Sequence, residues 1–108
     1  KGGRGVVRIA EVDDQVAGVA IAAETNRDPW LPNEGAAELR AIYVDPDCRG
    51  KGVARTLVDD VIGWAQERDL DTVSVHTFAD HPEEAEALKA IGFQEYRVQL
   101  EYPLRDQE

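Results

Sequence analysis

The stretch between residues 37 and 68 constrains the fold more than any other part of this sequence, because a strand pattern changes to a helix pattern across a short glycine-rich turn. Ala37–Val44 has strand composition and stops before Pro46, which restricts the residue before it and cannot donate a backbone hydrogen bond. From Gly52 to Arg68 the apolar residues recur with helical spacing. Their stripe consists of Ala54, Leu57, Val58, Val61 and Ala65. The pattern predicts a strand that leads directly into a helix.

The segments before this unit predict antiparallel strands. Val6–Ala10 and Val16–Glu24 are two runs rich in β-branched residues, joined by a polar turn, and together they predict a β-hairpin. Thr25–Gly35 contains proline, asparagine and glycine, so it predicts a loop. Residues 1–5 have loop composition and predict a flexible or truncated edge.

The segments after the helix predict a strand, a second helix and a last strand. Thr72–Phe78 has alternating strand composition, and Pro82 opens a helix that continues to Gly92. Tyr96–Tyr102 alternates apolar and polar residues, as a strand with one buried face does. The predicted order is β-β-β-α-β-α-β in one domain over residues 1–108, an α/β (α+β) fold with an antiparallel half followed by crossovers.

Composition excludes several classes of function. Twelve Lys and Arg against 22 Asp and Glu give a net charge of −10, which repels phosphate backbones and anionic lipids. We therefore expect neither nucleic acid nor a membrane as a partner. The longest apolar run, Val16–Ala23, is too short for a membrane helix. Cys48 is the single cysteine and cannot form an internal disulfide, which favours a cytoplasmic location.

The glycine-rich turn has the features of an anion-binding site. The first turn of a helix leaves about four backbone N–H groups without internal partners and carries about half a positive charge. Gly50 and Gly52 lack a Cβ, so an anion can approach the backbone closely. Arg49, Lys51 and Arg55 add positive charge locally in an acidic chain. The alternative is a tight turn whose glycines serve packing and whose basic side chains are solvated. Neither the P-loop nor the Rossmann glycine pattern is present.

Three motifs surround this turn in a defined order. A strand with Ala-Glu-Leu-x-x-Ile-Tyr-Val-x-Pro precedes Arg49-x-x-Gly52-x-Ala54, and Ile91-Gly92-Phe93 follows the second predicted helix. This order resembles the Gcn5-related N-acetyltransferase (GNAT) superfamily, whose acyl-CoA motif is Arg or Gln, two residues, Gly, one residue, and Gly or Ala. The resemblance covers Val6–Leu104. It implies a mixed, largely antiparallel twisted sheet with two flanking helices, without the family's usual N-terminal strand and helices.

The resemblance also implies that acetyl-CoA is the cosubstrate. The backbone of Ile42, Tyr43 and Val44 would pair with the pantetheine arm. The pyrophosphate would be bound at the turn and the start of the helix, by Arg49, Gly50, Lys51, Gly52, Val53 and Ala54. No metal is expected, because the spacing of His76, Asp80 and His81 matches no strong zinc pattern.

Acetyl transfer to an amine requires the neutral amine. An alkylammonium with a pKa of ~10.4 is about three units from that state at pH 7, roughly 4 kcal/mol. Glu38 matches the position where many family members have a carboxylate that removes the proton directly or through water. A solvated acid at the end of a strand is the alternative for Glu38. The oxyanion of the tetrahedral intermediate would be stabilised by a backbone N–H near Val44, following the family.

The sequence departs from the family at the group that protonates the leaving thiolate. Leu88 stands where many members have a tyrosine, and leucine cannot donate a proton. The thiolate would then take its proton from another side chain, from water or from no donor, and Tyr43, His81 and His76 are the side chains available. His81 matches the position of a frequent CoA-contacting asparagine, although a surface or capping role is its alternative. His76, within a predicted strand, is expected to be structural.

These features predict an N-acetyltransferase that acts on a primary amine of an unknown acceptor by direct attack. The alternative is a non-catalytic acyl-CoA-binding module for sensing or interaction, which the missing helices and Leu88 favour. Only one strand is predicted after Gly92 and Phe93 where the family usually has two. A homodimer that completes the sheet is therefore expected.

Overall fold

The computed structural model describes residues 5–26, 30 and 35–105. The chain divides into two compact units, Lys1–His76 and Thr77–Glu108. The single domain expected from the chain length stays a prediction. No helix in the described ranges is both long enough and apolar enough to cross a membrane.

The first unit contains a sheet of four strands in the order β1-β2-β3-β4. The strands are β1 (Gly5–Val12), β2 (Gln15–Asn26), β3 (Gly35–Val44) and β4 (Thr72–Val75). The first three strands run antiparallel to one another, whereas β4 pairs parallel with β3. The mixed, largely antiparallel sheet predicted from the sequence is confirmed.

A two-residue turn joins β1 to β2, which confirms the hairpin. Val12 pairs with Gln15 across the turn, and the residues between them, Asp13 and Asp14, have φ angles of 53° and 66°. Positive φ at both central positions is typical of the type I′ turn, whose twist matches that of the flanking strands. Aspartate tolerates this conformation better than most residues with a Cβ.

The helix α1 (Val53–Glu67) packs its apolar side against one face of the sheet. Its buried residues are Val53, Leu57, Val58, Val61, Trp64 and Ala65. The buried residues of the sheet are mostly alanines, at positions 17, 20, 22, 36 and 37. Ala20 and Ala22 share the face of Gly18, whose Cβ direction points at α1, so the helix can approach the strands closely. The assignment of Ala54 to the buried stripe was wrong, because Val53 fills the space over the sheet and Ala54 is exposed.

In the described part of the second unit, residues 77–105, there is one helix, α2 (Pro82–Ile91). Proline at the first position and Glu83 and Glu84 in the first turn begin it, as predicted. Gly92 ends it with a φ of 132°, a conformation that residues with a Cβ rarely adopt.

The prediction of a last strand was wrong. Residues 93–105 contain no strand, and the element order over the described residues is β-β-β-α-β-α. The apolar side chains of the alternating pattern are exposed, with 72% of Val98 and 89% of Leu100 accessible. An alternating pattern specifies which face a strand buries, but a strand also needs a neighbour to bond its backbone.

Three boundaries of the strands β2, β3 and β4 also differ from expectation. β4 ends at Val75, so residues 76–78 lie beyond the strand that was predicted to include them. β2 reaches Asn26 and β3 begins at Gly35, which shortens the loop expected between them. Apart from Trp30, the remainder of that loop lies outside the described residues, as do residues 1–4.

Candidate active site

The sheet opens where β3 and β4 separate. β3 has ten residues, yet β4 pairs with it only from Ala36 to Leu39. On the other edge of β3, residues 41–44 remain paired with β2. In the described part of the chain, no strand therefore bonds the β4-side edge of the second half of β3. An extended ligand can bind a free strand edge through backbone hydrogen bonds.

A β-bulge lies at the point of separation. Ile21 pairs with Ala41 and Ala22 pairs with Leu39, so Arg40 has no residue directly opposite it on β2. A bulge bends the strand and increases its twist, which turns the second half of β3 away from β4. The opening is thus a consequence of strand geometry.

The direction in which each backbone N–H and C=O group points determines which residues of β3 can bond a ligand at the open edge. The Asp45 N–H donates to the Ala17 carbonyl at 2.7 Å and therefore points towards β2. Because backbone groups alternate in direction along a strand, those of Val44 and Ile42 point towards the open edge. Those of Tyr43, expected at first to bond a ligand, point towards β2. The Tyr43 side chain is 54% exposed.

The turn before α1 adopts the conformation that its glycines permit. Gly50 and Gly52 have φ angles of 80° and 79°. A Cβ added at either position would meet no heavy atom within 4 Å, so the requirement for glycine is conformational and the space above the turn is open. Gly52 provides no side-chain cap for α1, and the first turn of the helix contains no acidic residue. The positive end of the helix is thus accessible to an anion.

The three basic residues of the turn have different partners. Arg49 Nε donates to the Val44 carbonyl at 3.3 Å, and Arg55 Nε lies 3.5 Å from the Asp59 carboxylate. Lys51 lines an open cavity of about 300 Å³ between the β1–β2 turn and the turn after β3. The other residues of this cavity are Val12, Asp13, Gln15, Val16, Asp45, Asp47 and Cys48. Positive charge is therefore less concentrated than the sequence suggested.

The start of α1 is positioned by Gly18 on β2, a residue that sequence reasoning missed. A Cβ at Gly18 would lie 2.7 Å from the Tyr43 carbonyl oxygen and 3.0 Å from Cγ1 of Val53. The glycine therefore lets the first helical residue lie against the sheet. A glycine inside a β-branched strand was the available indication, because it often marks close backbone approach.

A second group of polar side chains lies at the other end of β3. The carboxylate of Glu38 contacts Arg40 Nε at 3.1 Å through Oε1 and His76 Nδ1 at 3.4 Å through Oε2. The Glu38 side chain is half-buried, with 23% of its surface accessible. Glu38 and His76 were expected to have separate roles because they are far apart in the sequence. The parallel pairing of β3 with β4 brings them together.

Glu38 and Tyr43 share the face of the sheet opposite α1. They pair with Ala23 and Val19 on β2, whereas the Cβ direction of Gly18 points at the helix. Since side chains alternate between faces, Val19 and Ala23 of β2 face away from α1, and so do the residues paired opposite them.

His81 belongs to the second unit, where it precedes α2. Its side chain makes no capping hydrogen bond and lies 3.7 Å from Glu83 and 3.9 Å from Asp80. Leu88, on α2, is partly buried. The role of His81 in catalysis stays a prediction. The described residues contain no group of three or more His, Cys, Asp or Glu arranged to hold a metal ion.

Comparison with known proteins indicates the family of this chain. The model of the acetyltransferase (GNAT) family matches residues 1–93. An uncharacterized N-acetyltransferase from Methanocaldococcus jannaschii is 30% identical over 93 residues, which are 83% of this chain and 39% of that protein. The mycothiol acetyltransferase of Cellulomonas flavigena is 27% identical over 97 residues, covering 87% of this chain and 28% of that protein. The chain thus spans less than half the length of these curated relatives.

Solved structures share the same fold. The aminoglycoside N-acetyltransferase AAC(6')-Iy in complex with CoA superposes with a TM-score of 0.82 at 23% identity, covering 97% of this chain and 79% of that chain. An acetyl transferase of Pyrococcus furiosus, described as putative, has a TM-score of 0.82 at 20% identity, covering 95% of this chain and 68% of that chain.

Proposed function

The chain belongs to the acetyltransferase (GNAT) family, and on this basis we propose that it transfers an acetyl group from acetyl-CoA to a primary amine. The observation that carries the proposal is the pair of left-handed glycines, Gly50 and Gly52, before a helix that has no side-chain cap. These residues fit a diphosphate, because the space above them is open and uncapped N–H groups begin the helix.

We assign binding of the cosubstrate to two adjoining regions. The backbone from Arg49 to Ala54 would bind the pyrophosphate, with Lys51 and Val53 inside that stretch. The backbone groups of Ile42 and Val44 would form hydrogen bonds with the pantetheine arm. These groups point towards the opening between β3 and β4, which supports this role. Bound acetyl-CoA supplies an activated acetyl group as a thioester.

Glu38 is the centre of the proposed proton-accepting site. The acceptor ammonium must lose a proton before its nitrogen attacks, at a cost of roughly 4 kcal/mol at pH 7. The half-buried carboxylate of Glu38 on β3 and the neighbouring imidazole of His76 are the proposed proton acceptors. The N–H of Val44, which points to the same edge, would donate to the oxyanion of the tetrahedral intermediate.

The tyrosine that protonates the leaving thiolate in many family members is missing here, because Leu88 occupies its position. Tyr43 is one proposed donor, because its phenol is 54% exposed on the same sheet face as Glu38. His81 is the other proposed donor, and water would serve where neither side chain reaches the sulfur.

We propose a cationic amine as the acceptor. The net charge of −10 attracts cations, and the carboxylate of Glu38 lies at the opening of the sheet. The similar proteins with printed activities are an aminoglycoside N-acetyltransferase and a mycothiol acetyltransferase. Amines carried on polar scaffolds are therefore the first acceptors to test. The cytoplasmic location favoured by the single cysteine stays a prediction.

The test is release of free CoA thiol from acetyl-CoA in the presence of a panel of amines, with product mass measured in parallel. Turnover of at least one amine, with one acetyl group added per thiol released, is the expected result. Tight binding of acetyl-CoA without turnover of any amine would instead support the non-catalytic module, for which the missing tyrosine is the favouring observation.

We also propose that two copies of the chain pair through residues 93–105. Pairing this segment with itself, antiparallel and centred on Gln99, would set Arg97 opposite the partner's Glu101 and Val98 opposite the partner's Leu100. Opposite charges and apolar pairs in register stabilise such ladders by roughly 0.2–1 kcal/mol each. The exposure of the apolar side chains supports this arrangement.

Charge exchange tests the pairing. We expect Arg97→Glu and Glu101→Arg each to weaken the dimer in analytical ultracentrifugation, because like charges then oppose each other. The double variant should restore the dimer, since the pair is reversed and intact. A monomeric wild-type chain, or a double variant no better than the single ones, would contradict the pairing.

A further inference from the structure

The carboxylate of Glu38 is engaged at both oxygens. Oε1 lies 3.1 Å from Arg40 Nε, and Oε2 lies 3.4 Å from His76 Nδ1. A proton taken up at Oε1 would disrupt the contact with the guanidinium, and a proton at Oε2 would oppose the N–H of the imidazole. Glu38 is therefore better arranged to hold its neighbours than to receive a proton itself.

The imidazole of His76 has the complementary arrangement. Its Nδ1 faces the carboxylate, and its side chain is 78% exposed. In a neutral imidazole one nitrogen carries a hydrogen and the other a lone pair, and the hydrogen-bond partner determines which is which. A negative charge 3.4 Å from Nδ1 favours the form that carries its hydrogen at Nδ1, which leaves the lone pair of Nε2 available to solvent or substrate.

We propose that Nε2 of His76 takes the proton from the acceptor ammonium, and that Glu38 is a positioning residue that orients the imidazole and stabilises its charged form. This inference rests on the proposed acetyltransferase function and names the atom that begins the reaction. It assigns a role to a histidine that the sequence marked as structural.

The acceptor nitrogen loses two protons during the reaction. The ammonium gives one proton to Nε2 and becomes a neutral amine, whose nitrogen forms the bond to the acetyl carbon. When the carbon–sulfur bond breaks, the sulfur leaves with the electron pair, and the nitrogen loses a second proton. One proton ends on the thiol and the other passes from the imidazolium to water, so the imidazole is regenerated.

Within the described residues, the strand register identifies the immediate neighbours of Glu38. Arg40 on β3 is the cation that contacts Glu38. From the adjacent strands, Ala23 of β2 and Ser74 of β4 lie opposite Glu38 in the register, and neither titrates near neutral pH.

The kinetic test compares His76→Gln with wild type, using an amine that the wild type acetylates. We expect kcat to fall by about 100-fold or more, the usual contribution of a general base, and the rising limb of kcat near neutral pH to disappear. Affinity for acetyl-CoA, measured by calorimetry, should stay within about twofold, because His76 follows β4, which pairs with the first half of β3, whereas the turn follows the end of β3. Gly63→Ala, inside α1 where an added Cβ meets no heavy atom within 4 Å, is the control and should retain the rising limb.

A second measurement does not depend on activity. The chain has two histidines, so nitrogen-15 spectra at pH 8 can distinguish them with the single variants His76→Gln and His81→Gln. We expect His76 in the Nδ1–H form in the wild type and a shift towards Nε2–H in Glu38→Gln, with His81 unchanged.

The possible results distinguish a failure of the proposed acetyltransferase function from a failure of the proposed role of His76. If wild type neither binds nor uses acetyl-CoA, the acetyltransferase function fails, and this inference with it. If wild type is active but His76→Gln keeps kcat within about threefold and retains the rising limb, only the role of His76 is overturned. Loss of that limb in Glu38→Gln alone would identify Glu38 as the base.

Discussion

The two ends of β3 form the proposed site in different ways. At the end next to α1, the relevant groups are backbone N–H groups, presented by two glycines with φ angles near 80°. At the end next to β4, the relevant groups are the side chains of Glu38, Arg40 and His76. The first arrangement depends on residues that are neighbours in sequence, whereas the second depends on pairing between distant strands. We therefore expect substitutions to act differently at the two ends.

The largest expected effect comes from Gly52→Pro, which tests the backbone end. Proline requires a φ near −65°, and the residue here has a φ of 79°. The substitution also removes an N–H, so we expect calorimetry to show at least about a 100-fold weaker affinity for acetyl-CoA, about 2.7 kcal/mol or more.

Gly63→Ala is the control for that variant. Gly63 lies inside α1, and an added Cβ meets nothing within 4 Å. The alanine should leave affinity for acetyl-CoA unchanged and raise stability by roughly 0.5–1 kcal/mol. If a folded Gly52→Pro chain binds acetyl-CoA with wild-type affinity, backbone N–H groups do not bind the ligand at this end of β3. The proposed difference between the two ends of β3 would then be wrong.

Gly18→Ala should have an intermediate effect, because it alters the contact between β2 and the start of α1 that positions the turn. The new Cβ would lie 2.7 Å from the Tyr43 carbonyl oxygen, and backbone cannot move as freely as a flexible side chain. We expect a loss of stability of roughly 1–3 kcal/mol, the usual cost of overpacking. Chemical denaturation measures the loss. An unchanged denaturation midpoint would show that α1 does not need the close approach.

Arg55→Ala should have the smallest effect. Arg55 pairs with Asp59 one turn further along α1, and both side chains are more than half exposed. Exposed pairs of this spacing contribute about 0.3–0.5 kcal/mol. We expect stability to change within that range and acetyl-CoA affinity by no more than about threefold. A much larger loss of affinity would mean that side-chain charge, rather than backbone geometry, dominates at this end.

The elements encoded by local pattern could be predicted from the sequence. The hairpin follows from its β-branched runs and polar turn, and α1 follows from the apolar spacing after Gly52. The left-handed turn was also foreseeable, since glycine is the residue that adopts that conformation readily. The assignment of ligand-binding roles to these residues stays a prediction.

The features that depend on distant contacts could not be predicted. The proximity of Glu38 to His76 needs the parallel register of β3 with β4, which neither segment encodes alone. The exposure of Ala54 depends on Val53 filling the space over Gly18. The alternating pattern of Tyr96–Tyr102 was sufficient to suggest a strand, but it contained no information about a neighbouring strand.

The most direct test of the central claim compares two ligands on the wild-type chain. Acetyl-CoA contains the diphosphate for which the turn at Gly50 and Gly52 is proposed, whereas S-acetylpantetheine contains the arm and the thioester without it. If the turn binds the diphosphate, calorimetry will show that acetyl-CoA binds at least about 100-fold more tightly. Equal affinity for the two ligands would contradict the account.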